Sequence, residues 1–147
     1  MSFNNLDTLY RQVIMDHYKN PRNKGTIDGD AITVEMNNPS CGDRIQVYLS
    51  VKDGIVDEVK FDGEGCSISL ASASMMTQAI KGKQLTEALK MSEVFSEMML
   101  GKDVDAGEID LDDIEALQGV SKFPARINCA TLAWKALEKS AKEENVN

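Results

Sequence analysis

The sequence lacks long apolar segments: no uninterrupted run of apolar residues is longer than three. A membrane-spanning helix needs about 20 predominantly apolar residues, so a transmembrane span is excluded. The first residues, Met1 to Asn5, contain neither a basic nor a hydrophobic stretch, which predicts that no secretory signal is present. We therefore expect a cytoplasmic protein that has no membrane partner.

The sequence is also poor in basic charge and in tryptophan. It contains 16 Lys and Arg residues against 24 Asp and Glu residues, and a single Trp. Seven of the acids fall within residues 103–115, which contain no Lys or Arg, and these seven account for all but one of the net charge of −8. The rest of the chain has no basic stripe, so nucleic-acid binding is not expected. We interpret residues 101–115 as an acidic, solvated insertion.

Cysteine is scarce, and its odd number limits what it can do. Three cysteines cannot all pair within one chain, and a reducing compartment disfavours disulfides. The 147 residues fit a single domain, 1–147, and an apolar content of 42% is enough for a core without disulfide cross-links. The cysteines therefore point to thiol or metal chemistry.

The pattern of apolar residues predicts an α+β fold built on one small sheet. Apolar residues at three- and four-residue steps predict an N-terminal helix that ends near Asn20-Pro21. Alternating apolar residues then predict three strands. The apolar face consists of Ile32, Val34 and Met36 in the first strand, of Ile45, Val47, Leu49 and Val51 in the second, and of Ile55, Val59 and Phe61 in the third. Asp53-Gly54 favours a tight hairpin turn between the second and third strands. We therefore predict a mainly antiparallel, three-stranded sheet.

The second half of the chain is predicted to be helical. Small and apolar residues after Cys66 predict a closely packed helix to about Lys81, where Gly82 ends it. Pro124 is well placed in the first turn of a long C-terminal helix. We predict this helix from residue 124 to about residue 140, where it begins to fray over residues 141–147. Three shorter helices are predicted before it, over residues 85–89, 92–100 and 112–117.

Two of the three cysteines lie at the N-termini of predicted helices. Cys41 lies between the first two strands, Cys66 immediately before a helix, and Cys129 in the first turns of the last helix. The partial positive charge of a helix N-terminus favours the thiolate, which is the form of cysteine that binds metal or attacks sulfur. Asp43 follows Cys41 by two residues, so both side chains point to one side of an extended segment. Together the four residues make a candidate tetrahedral zinc site.

Spacing alone leaves other interpretations open. Free cysteine is often buried as a small apolar residue, and the intervals between these cysteines match no compact zinc-finger pattern. His17 fits a surface or capping residue better than a ligand or a general base. Arg126 precedes Cys129 by one helical turn, so it either neutralises a thiolate or persulfide there or covers the helix surface.

Several longer motifs run through nearly the whole chain. They are Asp16-His17-Tyr18-Lys19-Asn20-Pro21-Arg22-Asn23, Asn38-Pro39-Ser40-Cys41-Gly42-Asp43, Gly65-Cys66-Ser67-Ile68-Ser69-Leu70-Ala71-Ser72-Ala73-Ser74, Lys81-Gly82-Lys83 and Cys129. In this order they resemble the IscU/NifU-N family of iron–sulfur assembly proteins. The acidic insertion and the segment from Gln118 to Arg126 are similar to those of the family's SufU branch.

This resemblance implies an IscU-like fold and a zinc-dependent sulfurtransferase activity. It implies one zinc ion held by Cys41, Asp43, Cys66 and Cys129, in a site exposed at one end of the sheet. The sulfur is expected to come from a SufS-type cysteine desulfurase, a pyridoxal phosphate enzyme, and to pass to a downstream SUF cluster scaffold. The alternative is that an iron–sulfur cluster is built on this chain. Two departures from the scaffold pattern weigh against it, namely Asn128 in place of a histidine and residues 122–126 in place of a proline-rich chaperone-recognition segment.

A mechanism of sulfur acceptance follows from this assignment. A zinc site with four protein ligands is normally structural, so sulfur transfer requires one ligand to leave. Cys41 is the expected mobile ligand because it lies in a loop, whereas helices hold Cys66 and Cys129. Its thiolate attacks the outer sulfur of a persulfide on the desulfurase, and Arg126 orients the charge. Cys41 and Arg126 are therefore the expected catalytic residues, and a passive zinc-stapled binding module is the remaining alternative.

Overall fold

A computed structural model of the protein describes residues 3–29, 31–38, 42–102 and 112–146. The fold is α+β, as predicted, with one three-stranded antiparallel sheet. The elements in chain order are α1 (Phe3–Lys19), β1 (Ile32–Asn38), β2 (Asp43–Lys52), β3 (Ile55–Glu64), α2 (Ser67–Ile80), α3 (Leu85–Met99), a 3₁₀ helix (Asp112–Lys122) and α4 (Pro124–Val146). None of the helices within these ranges is long and apolar enough to cross a membrane.

The sheet is a meander in which β2 lies between β1 and β3. Asp53 and Gly54 make the turn from β2 to β3 with positive φ angles of 54° and 77°, which a tight hairpin turn of this kind requires. The predicted hairpin is therefore confirmed. Its register pairs Arg44 with Glu64, so the start of β2 lies beside the end of β3 and close to the beginning of α2.

One face of the sheet carries the core. Ile45, Val47 and Leu49 alternate along β2 and are all 0% exposed, because α4 packs on β1 and β2 while α2 packs against β3. Trp134 of α4 stacks on Phe95 of α3, with ring centroids 5.0 Å apart. The indole N–H of Trp134 also donates to Ser72 Oγ of α2 at 3.2 Å. These contacts fix the helices to one another and to the sheet.

The two short helices predicted over residues 85–89 and 92–100 are wrong, because α3 is continuous from Leu85 to Met99. No glycine or proline interrupts this segment. Met91, in the predicted break, and Ser92, directly after it, are both buried, and Ser92 Oγ donates to Glu138 Oε1 of α4 at 2.9 Å. Packing against α4 therefore stabilises the helix at the position of the predicted break.

The helix predicted over residues 112–117 is a 3₁₀ helix that continues through Gly119 to Lys122. Its larger buried residues are Ile114, Leu117 and Val120, which are spaced by three, and Ala116 is buried beside them. A 3₁₀ helix has 3.0 residues per turn, so this spacing places all three on one face, towards the core. Residues 103–111, the larger part of the predicted acidic insertion, lie outside the described residues.

The C-terminal helix begins at Pro124, as predicted, and continues to Val146. The Ala141 side chain is only 1% exposed and belongs to the core. Fraying of residues 141–147 stays a prediction.

Candidate metal centre

Three of the predicted ligands lie close together at the edge of the sheet where β2 begins. Ligand atoms of Asp43, Cys66 and Cys129 all lie within 4.8 Å of one another. Asp43 is the first residue of β2, Cys66 is the residue before α2, and Cys129 lies in the second turn of α4. Cys41 lies outside the described residues, so the fourth predicted ligand remains a prediction.

Asp43 is the most constrained of the three donors. Its side chain is buried, at 2% exposure, and its Oδ1 accepts hydrogen bonds from Cys66 N–H at 2.9 Å and from Ser69 Oγ at 3.2 Å. Within the described part of the chain, the buried Oδ2 atom has no hydrogen-bond partner. A buried carboxylate oxygen that has lost its water and gained no donor is unfavourable, and a cation beside it would remove that penalty.

Cys66 occupies the N-cap position of α2. Its backbone has the extended conformation of an N-cap residue, and its side chain makes no capping hydrogen bond. The residue is half-buried and its thiol is free of any disulfide. The sulfur therefore faces the site at the positive end of the helix dipole, as its position in the sequence predicted.

Cys129 is completely buried and has a polar neighbour. Asn38 Nδ2 donates to Cys129 Sγ at 3.7 Å, across 91 residues of sequence. Asn38 is itself 7% exposed and is the last residue of β1, paired with Asp43 on β2. A neutral amide donor aimed at a buried sulfur suits a thiolate, since a hydrogen bond to the charged form favours it.

Gly65 leaves the space in which this arrangement fits. A Cβ atom at this position would lie 2.5 Å from Asp43 Oδ1 and 2.5 Å from Ser69 Oγ. Both atoms belong to buried side chains that cannot withdraw to solvent. Any residue with a side chain would therefore displace the carboxylate from its hydrogen-bond donors.

The donor set fits a zinc ion. Two cysteine sulfurs and a carboxylate oxygen are ligands that zinc takes in proteins, and the unpartnered Asp43 Oδ2 supplies a buried negative charge for a cation. The donors are less exposed than we predicted, since only Cys66 is more than slightly accessible. The expectation of an exposed site is therefore wrong for Asp43 and Cys129, whereas Cys66 is partly accessible.

Arg126 lies in the first turn of α4, one turn before Cys129, as the sequence predicted. Its side chain is exposed, and its backbone N–H donates to the Phe123 carbonyl at 2.8 Å. Its position on the surface next to the site leaves open both of the roles considered from the sequence.

His17 is not the surface residue that we predicted. It is 0% exposed, and its Nδ1 lies 2.8 Å from Ser74 Oγ on α2. The backbone N–H of Arg22 donates to the same oxygen at 2.8 Å. These bonds attach the end of α1 and the following turn to α2, so His17 has a structural position away from the three ligands.

Sequence reasoning missed Asn38, Gly65 and Ser69 as parts of the site. Each stands inside a motif that also contains a ligand, since Asn38 precedes Cys41 by three residues, and Gly65 and Ser69 flank Cys66. That proximity was the available signal. It did not reveal which of the motif residues contact the ligands, because those contacts depend on how the sheet and helices pack.

Comparison with known proteins places these observations among related chains. The family described as NifU-like N terminal domain matches residues 9–143. A zinc-dependent sulfurtransferase, SufU, from Bacillus subtilis (strain 168) is 70% identical over 149 residues, which cover 100% of both chains. An iron–sulfur cluster assembly scaffold protein, IscU, from Streptococcus pyogenes serotype M1 is 44% identical, over 97% of this chain and 88% of the relative.

Solved structures show the same fold at much lower sequence identity. The crystal structure of the N-terminal part of a nitrogen-fixing NifU-like protein from Brucella abortus superposes with a TM-score of 0.85 at 20% identity. The match covers 96% of this chain and 97% of that one. The architecture is therefore shared well beyond the range in which the sequences are closely similar.

Proposed function

The chain belongs to the family of NifU-like N-terminal domains, and we propose that it is a zinc-dependent sulfurtransferase that accepts sulfur on Cys41. The observation that carries this proposal is the convergence of ligand atoms of Asp43, Cys66 and Cys129 within 4.8 Å of one another, together with a buried Asp43 oxygen that has no hydrogen-bond partner among the described residues. Its 70% identity over the whole chain to a zinc-dependent sulfurtransferase supports the same function.

Cys41 completes the proposed ligand set of Cys41, Asp43, Cys66 and Cys129. It precedes Asp43 by two residues, so covalent geometry alone keeps the two Cα atoms within about 7 Å of each other. Three sulfurs and one carboxylate oxygen make the four-coordinate set that zinc prefers. The charge of the ion would offset two of the four negative charges that these ligands carry when they are deprotonated.

Zinc, when bound, supplies a positive charge that favours the thiolate form of its sulfur ligands, and it has no redox chemistry of its own. The Cys41 thiolate then attacks the outer sulfur of a persulfide on the donor protein. The sulfur–sulfur bond of the donor breaks, a new one forms at Cys41, and the donor cysteine leaves as a thiolate. The exchange is balanced and needs no external oxidant or reductant.

The partner we propose is a SufS-type cysteine desulfurase, which forms such a persulfide with its pyridoxal phosphate. Arg126 is exposed on the first turn of α4, where a docked partner can reach it. Its guanidinium is suited to orient a persulfide or to pair with a carboxylate of the partner. The accepted sulfur would pass to a downstream SUF cluster scaffold, and thiol ligands of this kind are in keeping with a reducing, cytoplasmic compartment.

The alternative function is cluster assembly on this chain itself. It is favoured by the 44% identity to a relative that is a cluster assembly scaffold, and thiolate ligands suit zinc and iron–sulfur clusters alike. Protein purified without oxygen separates the two functions. One zinc per chain and no visible colour supports the sulfurtransferase, whereas iron with labile sulfide supports the scaffold.

The decisive experiment compares cysteine variants in the presence of the desulfurase and free cysteine. After anaerobic incubation, mass spectrometry should find one additional sulfur atom on the peptide that contains Cys41. Cys41→Ala should abolish stimulation of the desulfurase while it retains part of the zinc, whereas Cys66→Ala and Cys129→Ala should lose both. A Cys41→Ala protein that accelerates sulfur release to the wild-type level would refute Cys41 as the acceptor.

A further inference from the structure

The two carboxylate oxygens of Asp43 have different surroundings, and we propose that Ser69 is a positioning residue that reserves one of them, Oδ2, for the metal. Ser69 is 0% exposed and lies in the first turn of α2, three residues after Cys66. It contacts Asp43 on the side away from the unpartnered oxygen. This inference rests on the metal site proposed above and concerns how its carboxylate ligand is held.

Oδ1 is saturated by two donors from the beginning of α2. The backbone N–H of Cys66 lies 2.9 Å from it and the hydroxyl of Ser69 lies 3.2 Å from it. The single proton of Ser69 has a second acceptor within reach, the Cys66 carbonyl at 3.0 Å. An ionised carboxylate is the stronger acceptor, because hydrogen bonds to charged groups are about twice as strong as neutral ones. The hydroxyl therefore donates to the Asp43 carboxylate.

Oδ2 is left as the only oxygen that Asp43 can give to an ion. It is buried and, among the described residues, has no hydrogen-bond partner. With Oδ1 held by two donors, the carboxylate cannot rotate to offer both oxygens without breaking hydrogen bonds in a buried place. The geometry therefore makes Asp43 a ligand through one oxygen, which together with three sulfurs gives a four-coordinate zinc site.

Gly65 is the residue that makes this arrangement possible. A Cβ atom there would come within 2.5 Å of both Asp43 Oδ1 and Ser69 Oγ, the two atoms that form the hydrogen bond. The backbone of residues 65 and 66 thus wraps tightly around Oδ1. Loss of the Ser69 hydroxyl would leave Oδ1 with one donor instead of two, and the carboxylate would become free to turn its second oxygen to the metal.

The test measures metal binding in the full chain rather than sulfur transfer. Zinc affinity is determined by competition with a chelator, and the Co²⁺-substituted protein is examined by visible absorption, which is stronger for four-coordinate than for five-coordinate cobalt. Ser69→Ala should raise the zinc dissociation constant about 10-fold, the lower end of what loss of a residue behind a metal ligand costs. It should also weaken the cobalt bands.

Ser140→Ala is the matched control. Ser140 is likewise 0% exposed and donates to a backbone carbonyl, Ala136 O, at 2.9 Å, but it lies three turns beyond Cys129 on α4. Its substitution likewise removes one buried serine hydroxyl and its hydrogen bond, and it should leave zinc affinity and the cobalt spectrum unchanged. A change that is common to both variants would mean that Ser69 acts through general stability, which would overturn the proposal.

The outcomes separate this inference from the proposed site. A parent chain that binds no zinc refutes the proposed site itself, whereas a parent that binds zinc and a Ser69→Ala variant with the same affinity and spectrum refutes only the role of Ser69. If circular dichroism shows that Ser69→Ala does not fold, X-ray absorption at the zinc edge of the parent holoprotein decides. One oxygen neighbour supports the proposal, and two oxygen neighbours overturn it.

Discussion

Asn38 and Asp43 lie opposite each other across the β1–β2 hairpin, and each contacts a different cysteine. Asn38 Nδ2 donates to Cys129 Sγ at 3.7 Å, whereas Asp43 Oδ1 accepts from Cys66 N–H at 2.9 Å. The two cysteines belong to α4 and to the start of α2. One facing pair of residues in the sheet therefore attaches both helices to the same point, and the register of this hairpin sets the positions of both cysteines.

Replacement of Asn38 by alanine should weaken zinc binding. The substitution removes the amide that donates to Cys129 Sγ, and loss of a residue that supports a metal ligand typically costs 10- to 100-fold in metal affinity. We expect a zinc dissociation constant about 10-fold higher, measured by chelator competition. Asn37→Ala is the control, because Asn37 is an exposed neighbour of the same residue type on the opposite face of β1. Equal affinities for the two variants would show that Asn38 does not support the ligand.

Removal of zinc should lower the melting temperature of the protein. A ligand that binds only the folded state at a free concentration of 100 times its dissociation constant stabilises by about 2.7 kcal/mol. For a domain of this size, that corresponds to a shift of roughly 5 to 11 °C. Calorimetry of the chelated and zinc-loaded protein measures the shift, and added zinc should restore the higher value. Identical melting temperatures would mean that the ligands assigned here do not bind the ion.

The same stabilisation should disappear in acid. The sulfur ligands must be deprotonated to bind zinc, so metal binding releases protons and is opposed as the pH falls. The difference in melting temperature between zinc-loaded and chelated protein is therefore expected to shrink from pH 7 to pH 5. A difference that stays constant over this range would contradict thiolate ligation.

Asp43→Ala should retain zinc but hold it less tightly. Three sulfur ligands remain and water can take the fourth position, so a metal stoichiometry near one per chain is expected after purification, with faster loss to a chelator. Asp57→Ala is the control, because Asp57 is an exposed acid of the same sheet that pairs with Lys52 at 3.5 Å. The ligand assignment would be wrong if the two variants lost zinc to the chelator at the same rate.

Substitutions of Arg126 should show whether its side chain acts in sulfur transfer or only covers the surface of α4. A surface arginine would change the free energy of unfolding by less than about 0.5 kcal/mol when replaced, and sulfur transfer would be unaffected. We expect Arg126→Lys to stay folded and zinc-loaded and yet to lose much of its activation of the desulfurase, since lysine lacks the planar fork of donors. The measurement is desulfurase turnover against the concentration of each variant.

Lys135→Ala serves as the control for charge alone, because Lys135 is an exposed cation of the same helix. It should activate the desulfurase as the parent does. Near-normal turnover with both Arg126→Ala and Arg126→Lys would assign Arg126 to the helix surface and leave the four proposed zinc ligands unaffected.

Local sequence signals predicted those parts of the fold that depend on few residues. Asp53-Gly54 is sufficient for its hairpin turn because the positive φ angles are a property of the two residues themselves. Pro124 begins α4 for a comparable reason, since its fixed φ suits the first turn of a helix. The three-residue spacing of Ile114, Leu117 and Val120 also contained a signal for a 3₁₀ helix, which the sequence-based prediction did not use.

The features that sequence reasoning missed depend on distant contacts. Asn38 donates to a sulfur that lies 91 residues further along the chain. His17 is buried against α2, where its hydrogen-bond partner Ser74 lies 57 residues away in sequence. Neither contact leaves a periodic trace near the residue itself. The ligands could be assigned as a group because motifs resembling a known family surround them. Only the packed structure could show which oxygen of Asp43 is available to an ion.

The three candidate ligands come from separate parts of the chain: Asp43 from β2, Cys66 from the start of α2 and Cys129 from α4. Asp43 and Cys66 are 23 residues apart in sequence. An ion bound to all three would act as a cross-link between three separate parts of the chain. Proteins ordinarily open in pieces, and each piece exposes its amides to solvent at its own free-energy cost. In the loaded protein α4 cannot separate from the sheet without breaking a metal–sulfur bond. Slow amide exchange should therefore spread across β2, α2 and α4 as one cooperative unit, rather than stay confined to the residues around the ion.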